Sequence, residues 1–172
     1  MNPEAPGPAF HYYMIRGGSE KGNITVWEAG TVGGEYIKTY GHYHVDELPE
    51  TYWVLEGEGI ALLQKRRDDT DDELEEFRVV PLKAGDRLDI PVGYGHMVAN
   101  TGTGFLVTKD DSPVAGVGDS ASMPLHADYE PFKRMHGFAY YVVERNGVPV
   151  LVRNPRYKEI HQEELAGLPV VT

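Results

Sequence analysis

The sequence contains no cysteine. That excludes a disulfide framework, Cys-ligated zinc, an iron–sulfur cluster and a thiol nucleophile. No apolar run approaches the ~20 residues of a membrane-crossing helix. Met1–Phe10 carries three prolines where a leader would carry a basic segment and then an apolar one. Positive charge is also scarce: 16 Lys and Arg stand against 27 Asp and Glu, a formal net charge of −11. Binding to a phosphate backbone or an anionic membrane surface needs a basic footprint, so neither nucleic acid nor membrane is expected as a partner. The expectation is a cytoplasmic protein. Clear helical periodicity is missing as well, and so is any internal repeat.

What is present points to β-structure. The 172 residues, 41% of them hydrophobic, suit one domain with a sizeable core, at ~150 residues per domain. Twenty Gly, 12 Pro and 11 Tyr are distributed among short apolar runs, a turn-rich pattern. Strands are predicted at Tyr12–Ile15, Asn23–Glu28, Tyr36–Tyr40, Thr51–Glu56, Ile60–Lys65, Phe77–Val80, Arg87–Ile90, His96–Ala99 and Phe105–Thr108. A final pair, Tyr140–Arg145 and Val148–Arg153, flanks Asn146-Gly147, a strong hairpin signal. Many short strands suggest a sandwich or barrel. Residues 1–10 are expected to form a flexible arm and 11–172 a single domain. Lys65–Glu76 (KRRDDTDDELEE) reads as a charged surface loop. Residues 110–137 lack a strand-like pattern, and a loop that long inside a compact domain is a candidate lid.

The chemistry concentrates in a few positions. His42 and His44 lie two apart, so an extended chain turns both imidazoles to one face and Tyr43 to the other. Glu50, Tyr52 and Val54 share a face in the next run, and His96 follows a Gly- and Pro-rich turn. Three imidazoles and one carboxylate on strands make a site for one divalent ion (Fe, Mn, Ni or Zn) with coordination positions left open for substrate. Thr39 is an odd step from His42, so it reaches the same face only if Gly41 marks a bulge.

The spacing of these residues resembles the cupin superfamily at two motifs. The first reads His42-x-His44-x5-Glu50-x6-Gly57 and the second Gly85-x5-Pro91-x-Gly93-x2-His96-x3-Asn100. The second agrees with the family at every fixed position. The first has five residues between His44 and Glu50 where the family has fewer, and its leading Gly is out of register. The resemblance implies an all-β, double-stranded β-helix, the cupin jelly-roll barrel, with the metal inside. Gly22–His44, Glu50–Gly59 and the segment from Gly137-Phe138 through Asn154-Pro155-Arg156-Tyr157-Lys158 are further similar to the cupin-type glucose-6-phosphate isomerases best known from archaea.

That family resemblance implies a metal-dependent aldose–ketose isomerase acting on a sugar phosphate, most simply glucose 6-phosphate to fructose 6-phosphate, and a homodimer. It implies His42, His44, Glu50 and His96 as metal ligands and Glu50 as the proton shuttle, with a metal-assisted hydride shift between the carbons as the alternative route. Thr25, Thr39, Gly41, Tyr52 and His126 would be substrate contacts, the phosphate being held by hydroxyls and backbone amides. Two departures stand out: Ser112-Pro113 replaces the family's Tyr-Pro, and Val114–Met123 reads as an insertion. The same donor set would also serve a 3-His/1-Glu dioxygenase or a non-catalytic sugar- or metal-binding cupin. Apolar pairs such as Tyr140-Tyr141 and Val142-Val143 would lie either in a dimer interface or in the barrel core.

Overall fold

The computed structural model describes residues 5–16, 22–68, 70–112 and 126–171. After a segment without strand or helix, the chain forms β1 (Tyr12–Arg16), β2 (Asn23–Trp27), β3 (Thr31–Val32), β4 (Glu35–Tyr36) and β5 (Tyr43–His44). The long strands follow: β6 (Glu50–Glu56), β7 (Glu58–Arg66), β8 (Glu73–Lys83), β9 (Arg87–Ile90), β10 (Tyr94–Asn100) and β11 (Leu106–Asp110). The closing part holds β12 (Ala127–Asp128), the helix α1 (Glu130–Met135), β13 (Tyr140–Arg145), β14 (Val148–Arg153), β15 (Glu159–Glu164) and β16 (Val170–Val171).

One sheet runs β1-β2-β11-β6-β9 and another β10-β7-β8-β15. A core cluster joins them: Trp27, Val54, Leu88, Ile90 and Leu106 from the first meet Ala61, Leu63, Leu82, Tyr94 and Val98 from the second. The two sheets therefore pack face to face as a jelly-roll barrel. A second cluster forms on the outer side of β7, β8 and β10, where Ile60, Leu62, Phe77, Met97 and Ala99 meet Tyr140, Val142, Leu151 and the helix residues Phe132 and Met135. With both faces covered, β7 and β10 read as nearly continuous apolar runs. Tyr140 and Val142 belong to this core, while Tyr141 and Val143 are half-buried on the opposite face.

The β13–β14 hairpin forms as expected, with Asn146 (φ 54°) and Gly147 (φ 80°) both left-handed at its tip. Tyr36–Tyr40 is not a strand. Regular pairing stops at Tyr36, and the chain then runs beside β10 through two isolated bridges, Lys38 with Ala99 and His42 with His96. The charged loop is shorter than Lys65–Glu76, because β7 continues to Arg66 and β8 begins at Glu73. Glu73–Glu76 pairs with both β7 and the parallel strand β15, which outweighs its polarity. Residues 110–137 are not one long loop. Asp110 ends β11, and β12 and α1 follow from Ala127, with Phe132 wholly buried to hold the helix down. Residues 113–125, including the Val114–Met123 insertion and most of the candidate lid, lie outside the described residues.

Candidate functional site

The bridges between the chain after β4 and β10 set the geometry. From Lys38 to His42 the chain takes four steps while β10 takes three, from Ala99 to His96. One extra residue is thus inserted, as in a β-bulge. Gly41 takes a left-handed φ of 83°. A Cβ there would lie 2.3 Å from the Phe138 ring and 3.0 Å from the His96 carbonyl, so the close approach requires glycine. The inserted residue brings Thr39 and His42 to the same interior face. Thr39 N–H donates to Val98 O (3.0 Å), Val98 N–H to Thr39 Oγ1 (3.1 Å), and His42 and His96 exchange backbone bonds of 3.2 and 3.1 Å.

Tyr43 points the other way and stacks on Phe132 with ring centroids 5.0 Å apart. That anchors β5 on the helix and turns His44 inward. His44 Nδ1 lies 2.7 Å from Leu48 O. Donation to that carbonyl leaves Nε2 as the free lone pair. His96 comes from the middle of β10 and Glu50 from the first position of β6; they are 2% and 3% exposed, so both functional groups are out of water.

One ligand atom from each of His42, His44, Glu50 and His96 lies within 4.8 Å of the others. Glu50 Oε2 is 3.0 Å from His96 Nε2 and 3.5 Å from His44 Nε2. The Ser112 hydroxyl donates to the other carboxylate oxygen, Oε1. His42 Nε2, His44 Nε2, His96 Nε2 and Glu50 Oε2 are buried without a hydrogen-bond partner among the described residues. Buried polar atoms without partners are costly, and four of them converging on one point fit a divalent ion held by nitrogen and oxygen donors. The protonation states of His42 and Glu50 agree with that. Burial, reinforced by His96, holds His42 well below the usual imidazole range, so it is neutral. Burial alone would raise Glu50, but the imidazoles of His44 and His96 lying against it outweigh burial and keep the carboxyl far below its ordinary range. His44 goes the other way: burial would lower it, but the Glu50 contact and the Leu48 carbonyl raise it, so a bound ion would compete with a proton there.

A cavity adjoins the cluster. Thr25, Thr39, Gly41, Tyr52 and His126, all singled out from the sequence, line it. The Tyr52 ring stands edge-on to His96 at 5.8 Å. Burial, then the negative charges of Glu50 and Asp110, push its phenol well above the usual range, so it remains a hydrogen-bond donor. His126 lies with its ring 5.8 Å from His44 and 6.2 Å from His42. Sequence reasoning missed Asp110, Arg16 and Tyr129 in the cavity wall, and the contact of Ser112 with Glu50. For Asp110 a signal existed: it alternates with Thr108 on the interior face of β11. Tyr129 sits at the N-cap of a six-residue helix, too short for a periodic pattern.

The sequence model of the glucose-6-phosphate isomerase family matches residues 13–159. The glucose-6-phosphate isomerase of Pyrococcus abyssi is 30% identical over 154 residues, spanning 87% of this chain and 72% of that protein. That of Thermococcus litoralis is 30% identical over 165 residues, spanning 92% and 77%. Among solved structures, a predicted oxalate decarboxylase from Thermotoga maritima aligns with a TM-score of 0.43 at 20% identity, over 60% of this chain and 80% of that one.

Proposed function

Because this chain belongs to the glucose-6-phosphate isomerase family, we propose that it interconverts glucose 6-phosphate and fructose 6-phosphate at the His42–His44–Glu50–His96 cluster. The observation that carries this reading is the convergence of four unpartnered donor atoms beside a cavity lined by hydroxyls. The reaction moves a proton between C2 and C1 of the open-chain sugar through an enediolate. It needs a base at the carbon and positive charge or donors at the oxygens. A divalent ion bound by the three imidazoles and Glu50 would supply Lewis-acid charge beside those oxygens.

The protein's own groups do the rest. Glu50, ionised at neutral pH, takes the proton from one carbon and returns it to the next. The Ser112 hydroxyl steadies the carboxylate through Oε1. The Tyr52 phenol, still protonated, donates to a sugar oxygen. Thr39 Oγ1 accepts the Val98 amide, so its own hydrogen is available to the substrate; with Thr25, Gly41 and His126 it contacts the sugar phosphate. Two copies pair through β1, whose residues Tyr13 and Ile15 are half exposed at the edge of the sheet, a position open to a further strand. Residues 11–172 act as one domain; of the arm expected over residues 1–10, residues 1–4 lie outside the described residues.

The test is a coupled assay of fructose 6-phosphate conversion on protein stripped by chelator and then given Fe²⁺, Mn²⁺, Ni²⁺ or Zn²⁺ in turn. Restored turnover that Glu50→Gln abolishes is the expected result. Protein that binds the ion and turns over nothing would overturn the assignment.

A further inference from the structure

The interior face of the five-stranded sheet carries a polar row that the proposed chemistry uses only in part. Cross-strand register sets Arg16 of β1 opposite Asn23 of β2, Asn23 opposite Asp110 of β11, and Asp110 opposite Tyr52 of β6. Residues opposite one another on paired strands share a face. Arg16, Asp110 and Tyr52 accordingly all line the cavity beside the four-ligand cluster.

Asn23 separates the two charges. Its Nδ2 donates to Asp110 Oδ1 at 2.8 Å, and Arg16 lies two strands from that carboxylate, about 10 Å at the usual strand spacing. Among the described residues Arg16 makes no ion pair. Its Nη2 reaches only the Met14 sulfur, at 3.7 Å, and its Nε is buried without a partner. A guanidinium is charged at every working pH and presents a planar fork of N–H donors, so one left without an acceptor is a binding group waiting for an anion. It is the one Lys or Arg among the described residues of the cavity wall, whose other charged groups are Glu50 and Asp110.

Depth gives the direction. Glu50 and His96 are almost wholly buried, whereas Tyr12 and Met14, which share the inward face of β1 with Arg16, are 36% and 38% exposed. The reacting carbons therefore belong at the deep end, and the far end of the substrate belongs against β1. Thr25 pairs with Met14, so it lies one diagonal step from Arg16 on the same face.

We propose that Arg16 is the specificity-determining residue of this cavity, receiving the phosphate dianion of the substrate in its guanidinium fork beside Thr25 and thereby selecting phosphorylated over free sugar. The sugar part of this statement rests on the isomerase reading; the anion part stands on the row itself. Arginine suits the task because its planar donors match two phosphate oxygens at once, which a lysine cannot do.

The experiment compares the metal-loaded parent chain with Arg16→Lys and Arg16→Ala. It measures KM and kcat for fructose 6-phosphate, and calorimetric binding of inorganic phosphate, fructose 6-phosphate and fructose. For Arg16→Ala, KM and the phosphate Kd rise about tenfold or more, the loss expected of a charge-assisted hydrogen-bond pair. The kcat falls by less than KM rises, fructose binding stays unchanged, and Arg16→Lys falls between the two. Circular dichroism checks folding, and Arg16→Lys keeps the aliphatic stem if the alanine variant fails. Parent-like phosphate and fructose 6-phosphate binding in both variants overturns the proposal even if the isomerase reaction is confirmed. A parent that does not isomerise but binds phosphate through Arg16 overturns the isomerase reading and upholds this one. A parent that binds no phosphate overturns it.

Discussion

At the level of single side chains, Glu50 has one carboxylate oxygen against two imidazoles and the other under the Ser112 hydroxyl. Glu50→Gln keeps the shape and removes the charge. The expected result is a fall in turnover of about 10²-fold or more, the usual worth of a positioned base, together with weaker retention of the ion on dialysis. Gly41 makes a different demand. An alanine there must hold φ near 83° and push its Cβ into Phe138 and the His96 carbonyl. Gly41→Ala should cost roughly 1–3 kcal/mol by backbone strain alone, read as a lower melting temperature, and should loosen His42. The four-donor set was legible because period-two spacing and the turn before His96 act within short stretches of chain. The bulge at Gly41 was legible too, from the parity conflict between Thr39 and His42. Arg16 was not, nor was the contact of Ser112 with Glu50, although the sequence had marked Ser112 as a departure from the family, because each reaches the site through the register of strands far apart in sequence.

Among the elements, α1 supports the site from behind. Phe132 lies between Tyr43 and Phe138, with ring centroids at 5.0 and 4.1 Å. Phe132→Ala removes a fully buried ring and should cost about 3–5 kcal/mol, on the order of 10 °C in melting temperature for a chain of this size. Turnover per folded molecule should fall as well, because Tyr43 then no longer holds His44 inward. The same helix ties down the turn between β7 and β8: Asp71 accepts from Arg134 of α1 and, at 3.2 Å, from Arg66. The hydrogen bond from Arg134, helped by Arg66 against a smaller effect of burial, holds the Asp71 carboxyl below its ordinary range. A carboxyl depressed in the folded state contributes its stability in full above the unfolded value of ~3.9. That contribution is lost as pH falls through the lower folded value. Asp71→Asn should therefore be less stable than the parent in urea melts at neutral pH, and the gap should close below about pH 3.9. The long strands and the Asn-Gly hairpin were visible in the sequence through short apolar runs bounded by turn chemistry. α1 was hidden by its six residues. β15 (EIHQEE) was hidden by its polarity: it is almost entirely exposed and held by parallel pairing to β8 rather than by a buried face.

For the molecule as a whole, the barrel resolves an apparent conflict between a formal charge of −11 and an anionic substrate. Two carboxylates, Glu50 and Asp110, line the cavity, where hydroxyls, an arginine and a His/Glu cluster able to hold a cation stand beside them. Local donors in a low-dielectric interior outweigh a distant, salt-screened field. The cluster also couples the ion to stability, because a folded-state ligand adds RT ln(1 + [L]/Kd), about 4 kcal/mol at a thousandfold excess over Kd. Chelator should lower the melting temperature, and the same ion should restore it. Both effects should be absent in His42→Ala.

The most direct test of the central claim is a titration of one divalent ion into stripped protein, with fructose 6-phosphate turnover followed at each addition. The account predicts that activity rises linearly and breaks at one ion per chain, and that His96→Ala removes the rise. Turnover that is full before any ion is added, or that never follows the bound ion, would contradict it.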